Sequence, residues 1–254
     1  DLEGADLQGA DLIEANLQRA HLWGADLQRA DLGGADLQRA NLEWAKLERV
    51  DLTVAGGLTG IRWYGAVLDK TRMRREQLGE KIGDELAAKQ GKGTYNQARE
   101  AYLALKTNFN ELGRYDDASW AYRKERRMER AMSRRWGWKW WGDSVAEWLT
   151  DYGENPWLAI RAVLITWAVF GLLYSSVGTI GPADLLKADP VKIFDPGAIF
   201  SGLTYSAAAL GTVGLESLRP LDRLTEVLTA LEGIVGISLL ALLMFTLGNR
   251  ISRS

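Results

Sequence analysis

Ala25-Asp26-Leu27-Gln28-Arg29, Ala30-Asp31-Leu32-Gly33-Gly34 and Ala35-Asp36-Leu37-Gln38-Arg39 are three consecutive copies of one five-residue pattern. The pattern runs through residues 1–55, with leucine at every fifth position from Leu2 to Leu52. From Leu7 onward, each leucine has alanine two positions before it, except that Val50 precedes Leu52. Between the two stands Asp or Asn, replaced by His21 and Lys46 in two copies. A period of five matches neither the 3.6 residues of a helix nor the two of a strand. A helix would spread these leucines over all its faces. A square solenoid accounts for them: each pentapeptide forms one side, and four sides form one coil. Leucine fills the interior at mid-side and small alanine packs near the corner. Stacked coils then share one continuous core.

The motif Ala-(Asp/Asn)-Leu-x-x resembles that of the pentapeptide-repeat family. The resemblance implies a right-handed quadrilateral β-helix over residues 1–72, its last part a degenerate cap with Ala66 and Leu68 in the repeat places. Some members of that family imitate the charge of DNA. The acidic positions Asp6, Asp11, Asp26, Asp31 and Asp36 could be read that way, or as a solvated face. The rest of the chain favours the second reading, and no nucleic-acid partner is expected. The chain opens at Asp1, inside a repeat, so upstream repeats are expected.

Charge is strongly segregated beneath a formal net charge of -2. Residues 1–55 hold eleven acids and five bases, whereas residues 114–141 hold nine bases and four acids. Cysteine is absent, which excludes disulfides and thiolate metal sites, and His21 is the only histidine. Gly91-Lys92-Gly93-Thr94 lacks the spacing of a phosphate-binding loop. With no nucleophile–base pair either, the chain is not expected to be an enzyme or to hold a cofactor.

Residues 73–135 read as a cytosolic helical region. A short capping helix is expected at 74–83, then helices at 94–112 and 115–135. The first of these two presents Ala98, Tyr102, Leu105, Phe109 and Leu112 at helical spacing. The second presents Tyr115, Ala118, Tyr122 and Met128. Together they form a hairpin like one unit of a TPR array, expected to act as a spacer or as a contact with an unidentified cytosolic partner or ligand.

Residues 136–157 are rich in tryptophan and border arginine, as suits a segment lying on an anionic bilayer surface. Two apolar stretches follow, at about 158–180 and 227–249. At about 1.5 Å per residue, each reaches across a hydrocarbon core of about 30 Å. Basic residues precede the first and follow the second, at Arg250 and Arg253. By the positive-inside rule both ends are cytoplasmic, in the multi-pass membrane protein of a prokaryotic cell.

Between the spans, residues 198–210 are apolar but too short to cross, which suits a re-entrant helix. Gly211-Thr212-Val213-Gly214-Leu215-Glu216-Ser217 follows at once. Span, short helix, Thr-Val-Gly, proline and second span resemble the two-helix potassium-channel pore family over residues 158–254. The resemblance implies an all-α pore domain, assembly as a homotetramer, and a filter at 211–217. It assigns the monovalent cation, sodium or potassium, to Thr212, Val213, Gly214 and Glu216, with Leu215 in the filter and Gly211, Ser217 and Glu232 supporting it. Rings of backbone oxygen replace the water of a dehydrating ion, and glycine permits the backbone angles required.

Leu215 and Glu216 depart from the potassium signature Gly-Tyr-Gly-Asp, and Leu215-Glu216-Ser217 is similar to the filter of bacterial sodium channels. Strict potassium selectivity is therefore not expected. Glu216 forms an outer carboxylate ring or is bonded behind the filter. Glu232 is expected to face the protein interior and hydrogen-bond the pore-helix region. Gly233 and Gly236 permit close packing or a bend, and Met244, Phe245 and Leu247 are candidates for a gate. The competing reading is a scaffold whose spans only tether the repeats to the membrane.

Overall fold

The structure is a computed structural model, and it describes residues 1–133, 137–177, 180–182, 196–211, 218–220 and 223–251. The chain divides into two units, Asp1–Ser144 and Val145–Ser254.

In the first unit, Asp6 bridges Asp26, Asp11 bridges Asp31, and His21 bridges Asn41, all in parallel. The chain therefore returns over itself after four pentapeptides. Within each copy the turn Leu-x-x-Ala closes on itself, as where Ala5 N–H donates to Leu2 C=O at 3.1 Å and Ala40 N–H to Leu37 C=O at 2.9 Å. The fifth residue of the copies up to Arg49 adopts the left-handed region, at φ 57 to 62° in Glu14, Arg19, Arg29, Arg39, Trp44 and Arg49. The expectation of a β-helix is corrected here. Residues 1–72 form no strand, only single-residue bridges separated by turns. A left-handed residue in every five breaks the extended backbone before a strand can develop. Apart from this turn-built coil, the described chain is mainly helix.

The polar position of the repeat has a local cause. The Asp31 carboxylate accepts the Gly33 N–H at 3.0 Å, Asp36 accepts the Gln38 N–H at 3.0 Å, and Asn41 accepts the Glu43 N–H at 3.2 Å. A short side chain with an acceptor oxygen satisfies the turn two residues on. The residues of the acidic stripe thus serve the turns of the coil. Inside, Leu22, Leu27, Leu32, Leu37, Leu42, Leu47 and Leu52 are fully buried. As expected, the coil runs on past Gly56-Gly57 to about residue 72. Asp36 bridges Gly57 and Asp51 bridges Arg72, so the later coil takes in one extra residue and continues.

The last coil needs partners for its outward backbone groups. Where the sequence suggests one capping helix, there are two, α1 (Arg75–Leu78) and α2 (Gly83–Lys89). Gly83 N–H donates to Ile61 C=O at 2.7 Å. The Asp84 carboxylate accepts the N–H of Trp63 at 2.6 Å and of Tyr64 at 3.2 Å. Thus α2 stands in for the missing coil. Helices α3 (Tyr95–Glu111) and α4 (Tyr115–Met132) pack as a hairpin. Asn108 on α3 donates to Thr71 C=O at 2.8 Å. On α4, Ala118 and Met128 are buried as expected, but the face is shifted at its start. Tyr115 is exposed, whereas Trp120 is buried edge-on against Tyr102 with ring centroids 5.6 Å apart.

Burial raises the Asp84 carboxyl to about 6, with the Glu43 carboxylate adding to the effect against the two N–H donors and Arg62. A raised folded pKa penalises the ionised form. The stability that Asp84 contributes is therefore complete below its ordinary value near 3.8 and falls as pH rises to about 6. A shift of this size corresponds to about 3 kcal/mol. The stability advantage of wild type over Asp84→Asn should shrink by about that amount between pH 4 and pH 7. Hydrogen exchange of the Trp63 and Tyr64 amides in the full chain reads it, and a difference constant over that range contradicts it.

The second unit contains α6 (Pro156–Val177), β1 (Ile180–Pro182), α7 (Pro196–Leu210), β2 (Leu218–Pro220) and α8 (Arg223–Ile251). Helix α5 (Trp138–Thr150) precedes them. The strands pair antiparallel, Ile180 with Pro220. This short pair went unseen in the sequence. The first apolar helix ends sooner than expected, since Ile180 already belongs to β1. The second begins earlier, at Arg223.

Candidate functional site

Pro156–Ser175 in α6 and Arg223–Gly248 in α8 are long and apolar enough to cross a membrane by length and composition. Helix α7, with 15 residues, is about 22 Å long at 1.5 Å per residue and falls short of that. Pro196 opens it, as suits a first helical position, where the N–H that proline lacks would have no intrahelical partner. The β1–β2 pair joins the chain leaving α6 to the chain entering α8, so α7 belongs to an excursion closed at its base.

Two kinds of contact hold α7. Small residues allow close approach to α6: a Cβ at Gly202 would stand 2.3 Å from Gly171 C=O, and one at Gly171 would stand 2.6 Å from the Leu203 side chain. Polar groups then fix the register. Trp167 Nε1 donates to Leu203 C=O at 2.8 Å, and Ser206 Oγ lies 3.0 Å from Trp167 C=O. Tyr174 and Tyr205 meet edge to face at 5.1 Å.

Against α8, the Tyr205 hydroxyl lies 3.1 Å from Thr229 Oγ1. Ser206 hydrogen-bonds Glu232 Oε1, and the Tyr174 hydroxyl donates to Glu232 Oε2 at 2.8 Å. Glu232 is fully buried. One turn further along α8, a Cβ at Gly236 would stand 2.6 Å from Leu210 C=O. At Gly233 the nearest atom is Ala209 C=O, 3.6 Å away.

Of the residues singled out in the sequence, Gly211 forms the exposed turn that ends α7. Thr212, Val213, Gly214, Leu215, Glu216 and Ser217 lie outside the described residues. Met244, Phe245 and Leu247 are exposed along α8. Tyr174, Ser206, Tyr205 and Thr229 were not anticipated. Their signal is polar side chains within apolar helices, where an unpaired hydroxyl is costly. Among the described residues, no group of three or more His, Asp or Glu could hold a metal ion.

The approach to α6 has its own pattern. Trp138, Trp141, Val145 and Trp148 follow one another at helical spacing in α5, and all are exposed, as is Trp157. The Arg161 guanidinium lies over the Trp148 ring at 5.6 Å. Tryptophan and arginine together suit the headgroup level of a bilayer.

Comparison with known families finds pentapeptide repeats, in eight copies, over residues 1–34 and 15–53. The match is confined to the N-terminal coils and does not extend to the helices around α7. No curated protein and no solved structure matches the chain.

Proposed function

We propose that this chain, which carries pentapeptide repeats at its N-terminus, is the pore-forming subunit of a homotetrameric cation channel. The observation that carries the reading is α7. It is an apolar helix too short to span, gripped between two helices of spanning length, and after its last residue, Leu210, Gly211 leads directly to Thr212-Val213-Gly214. A bilayer tolerates irregular backbone only where it is buried in protein or lines a cavity. A short helix fixed to its neighbours by backbone contacts and paired hydroxyls meets that demand. One chain supplies one filter segment, so four copies surround the axis, with α6 and α8 in lipid and both chain ends in the cytoplasm.

The carbonyls of Thr212, Val213 and Gly214 and the Thr212 hydroxyl coordinate the permeant sodium or potassium ion. Glu216 contributes a ring of carboxylates at the outer mouth, which favours cations over anions. The repeat coil and the helical hairpin form a cytosolic module.

Flux of sodium, potassium and chloride from liposomes holding the purified full chain tests this. Cation flux without chloride flux is the expected result, and Glu216→Gln should lower it roughly tenfold, as removal of a focusing charge lowers entry rates. Chloride flux, or cation flux unchanged by the substitution, removes Glu216 from the mouth. Liposomes that stay silent leave the helices as a membrane tether for the repeat coil.

A further inference from the structure

We propose that Glu232 is the positioning residue that keys α8 to α7 and so sets where α7 delivers Leu210 and Gly211. The inference rests on the channel reading for its consequence, but its geometry stands without it. A carboxyl at 0% exposure in an apolar helix is costly. An aliphatic side chain would serve mere packing better. This carboxyl is divided between two helices. Oε2 takes the hydroxyl proton of Tyr174 on α6 at 2.8 Å, and Oε1 meets Ser206 on α7. Ser206 in turn reaches Trp167 C=O on α6 at 3.0 Å. One side chain therefore ties three helices.

Register gives the tie its direction. Glu232 and Gly236 are one turn apart on α8, and their partners Ser206 and Leu210 are one turn apart on α7. Thr229 meets Tyr205 on the preceding turn of α8. Three successive points of α8 thus engage one face of α7. Residues three and four apart share a helix face, so a shift or rotation of α8 cannot occur at one point alone. It is carried to Leu210 and Gly211, the last described residues before the filter segment. Packed helices with discrete contacts switch between arrangements rather than deform smoothly, and the Glu232 tie is what holds this one.

Glutamine separates hydrogen bonding from charge. In Glu232→Gln the amide accepts from Tyr174 and donates to Ser206, whose own proton goes to Trp167 C=O. Glu232→Leu keeps the volume and loses both bonds. Two measurements are made on the full chain. Hydrogen exchange of residues 203–211 in detergent reads the position of α7, and the sodium-to-potassium permeability ratio in liposomes reads its consequence.

Glu232→Leu should speed exchange of residues 203–211 by roughly tenfold or more, the scale of one lost buried hydrogen bond in a local opening. It should also shift the permeability ratio, which a uniform loss of stability would leave alone. Glu232→Gln should restore both to near wild type. Ser206→Ala and Tyr174→Phe should each act partway, and together less than additively; they carry the test if Glu232→Leu does not fold. Unchanged exchange in Glu232→Leu, or in both single variants, overturns the tie, and so does a Gln variant as impaired as the Leu variant. Silent wild-type liposomes defeat the channel reading alone, since exchange still decides the tie.

Discussion

Leu37→Asp is expected to unfold the repeat coil. Leu37 sits in the middle of the stack at 0% exposure, and its N–H donates to Gly57 C=O at 3.0 Å in the next coil. Truncation at such a site removes about 2–5 kcal/mol. Aspartate adds the cost of a carboxyl among leucines with no cation inside, several kcal/mol more. Against a total stability of about 5–15 kcal/mol, that is most or all of it. Each coil rests only on its neighbours, so the break separates the coils before residue 37 from those capped by α2. Gln38→Asp, one position along on the exposed side of the turn, should change stability by under about 0.5 kcal/mol. Denaturant titration of the full chain, read by exchange of amides in residues 22–52, compares the two. Similar midpoints for both variants contradict the inward placement of Leu37.

The five-residue period made the coil legible, because burial of every fifth leucine can arise in few other ways. What it hid was how the backbone achieves the coil. A pattern of side chains carries no mark of φ, and arginine or glutamate at the fifth position gives no warning of a left-handed residue at Arg29 or Glu14. Strands were therefore expected where turns stand. Asp31 and its equivalents looked like surface charge because their partner is a backbone amide two residues on. A capping helix was expected at 74–83, but not the contacts by which it closes the coil. Asp84 is 21 residues beyond Trp63, about one coil further along the chain, and that spacing was the only trace of this contact.

In the second unit, length and apolarity suffice to mark α6, α7 and α8. Partners do not follow from either. Tyr174 lies 58 residues from Glu232, and Ser206 lies 26 residues from it. A buried acid announces that it needs donors, as Glu232 did, but not which ones. The interior glycines of α8 were likewise visible as a pair, and only the fold separates their roles.

That separation gives the largest effect expected in the second unit. Gly236→Leu should abolish cation flux, while Gly233→Ala should leave it intact. Any Cβ at 236 stands 2.6 Å from Leu210 C=O and 3.0 Å from Leu210 Cα. Those are backbone atoms at the end of α7, so neither partner can swing aside as a flexible side chain would. Alanine forces the two helices apart, at about 1–3 kcal/mol. Leucine adds three further carbons to the same clash and should drive Leu210 and Gly211 off their position altogether. At Gly233 the closest atom is 3.6 Å away, an ordinary van der Waals distance. Alanine fits there and should stabilise α8 by up to about 1 kcal/mol through its helix propensity. Flux in liposomes and exchange of residues 203–211 measure both variants. Two glycines in one helix, one turn apart in sequence and alike in composition, thus predict opposite signs. Equal tolerance at both positions would mean that α8 does not press on the end of α7, and the proposed filter would lose the argument that this packing supports it.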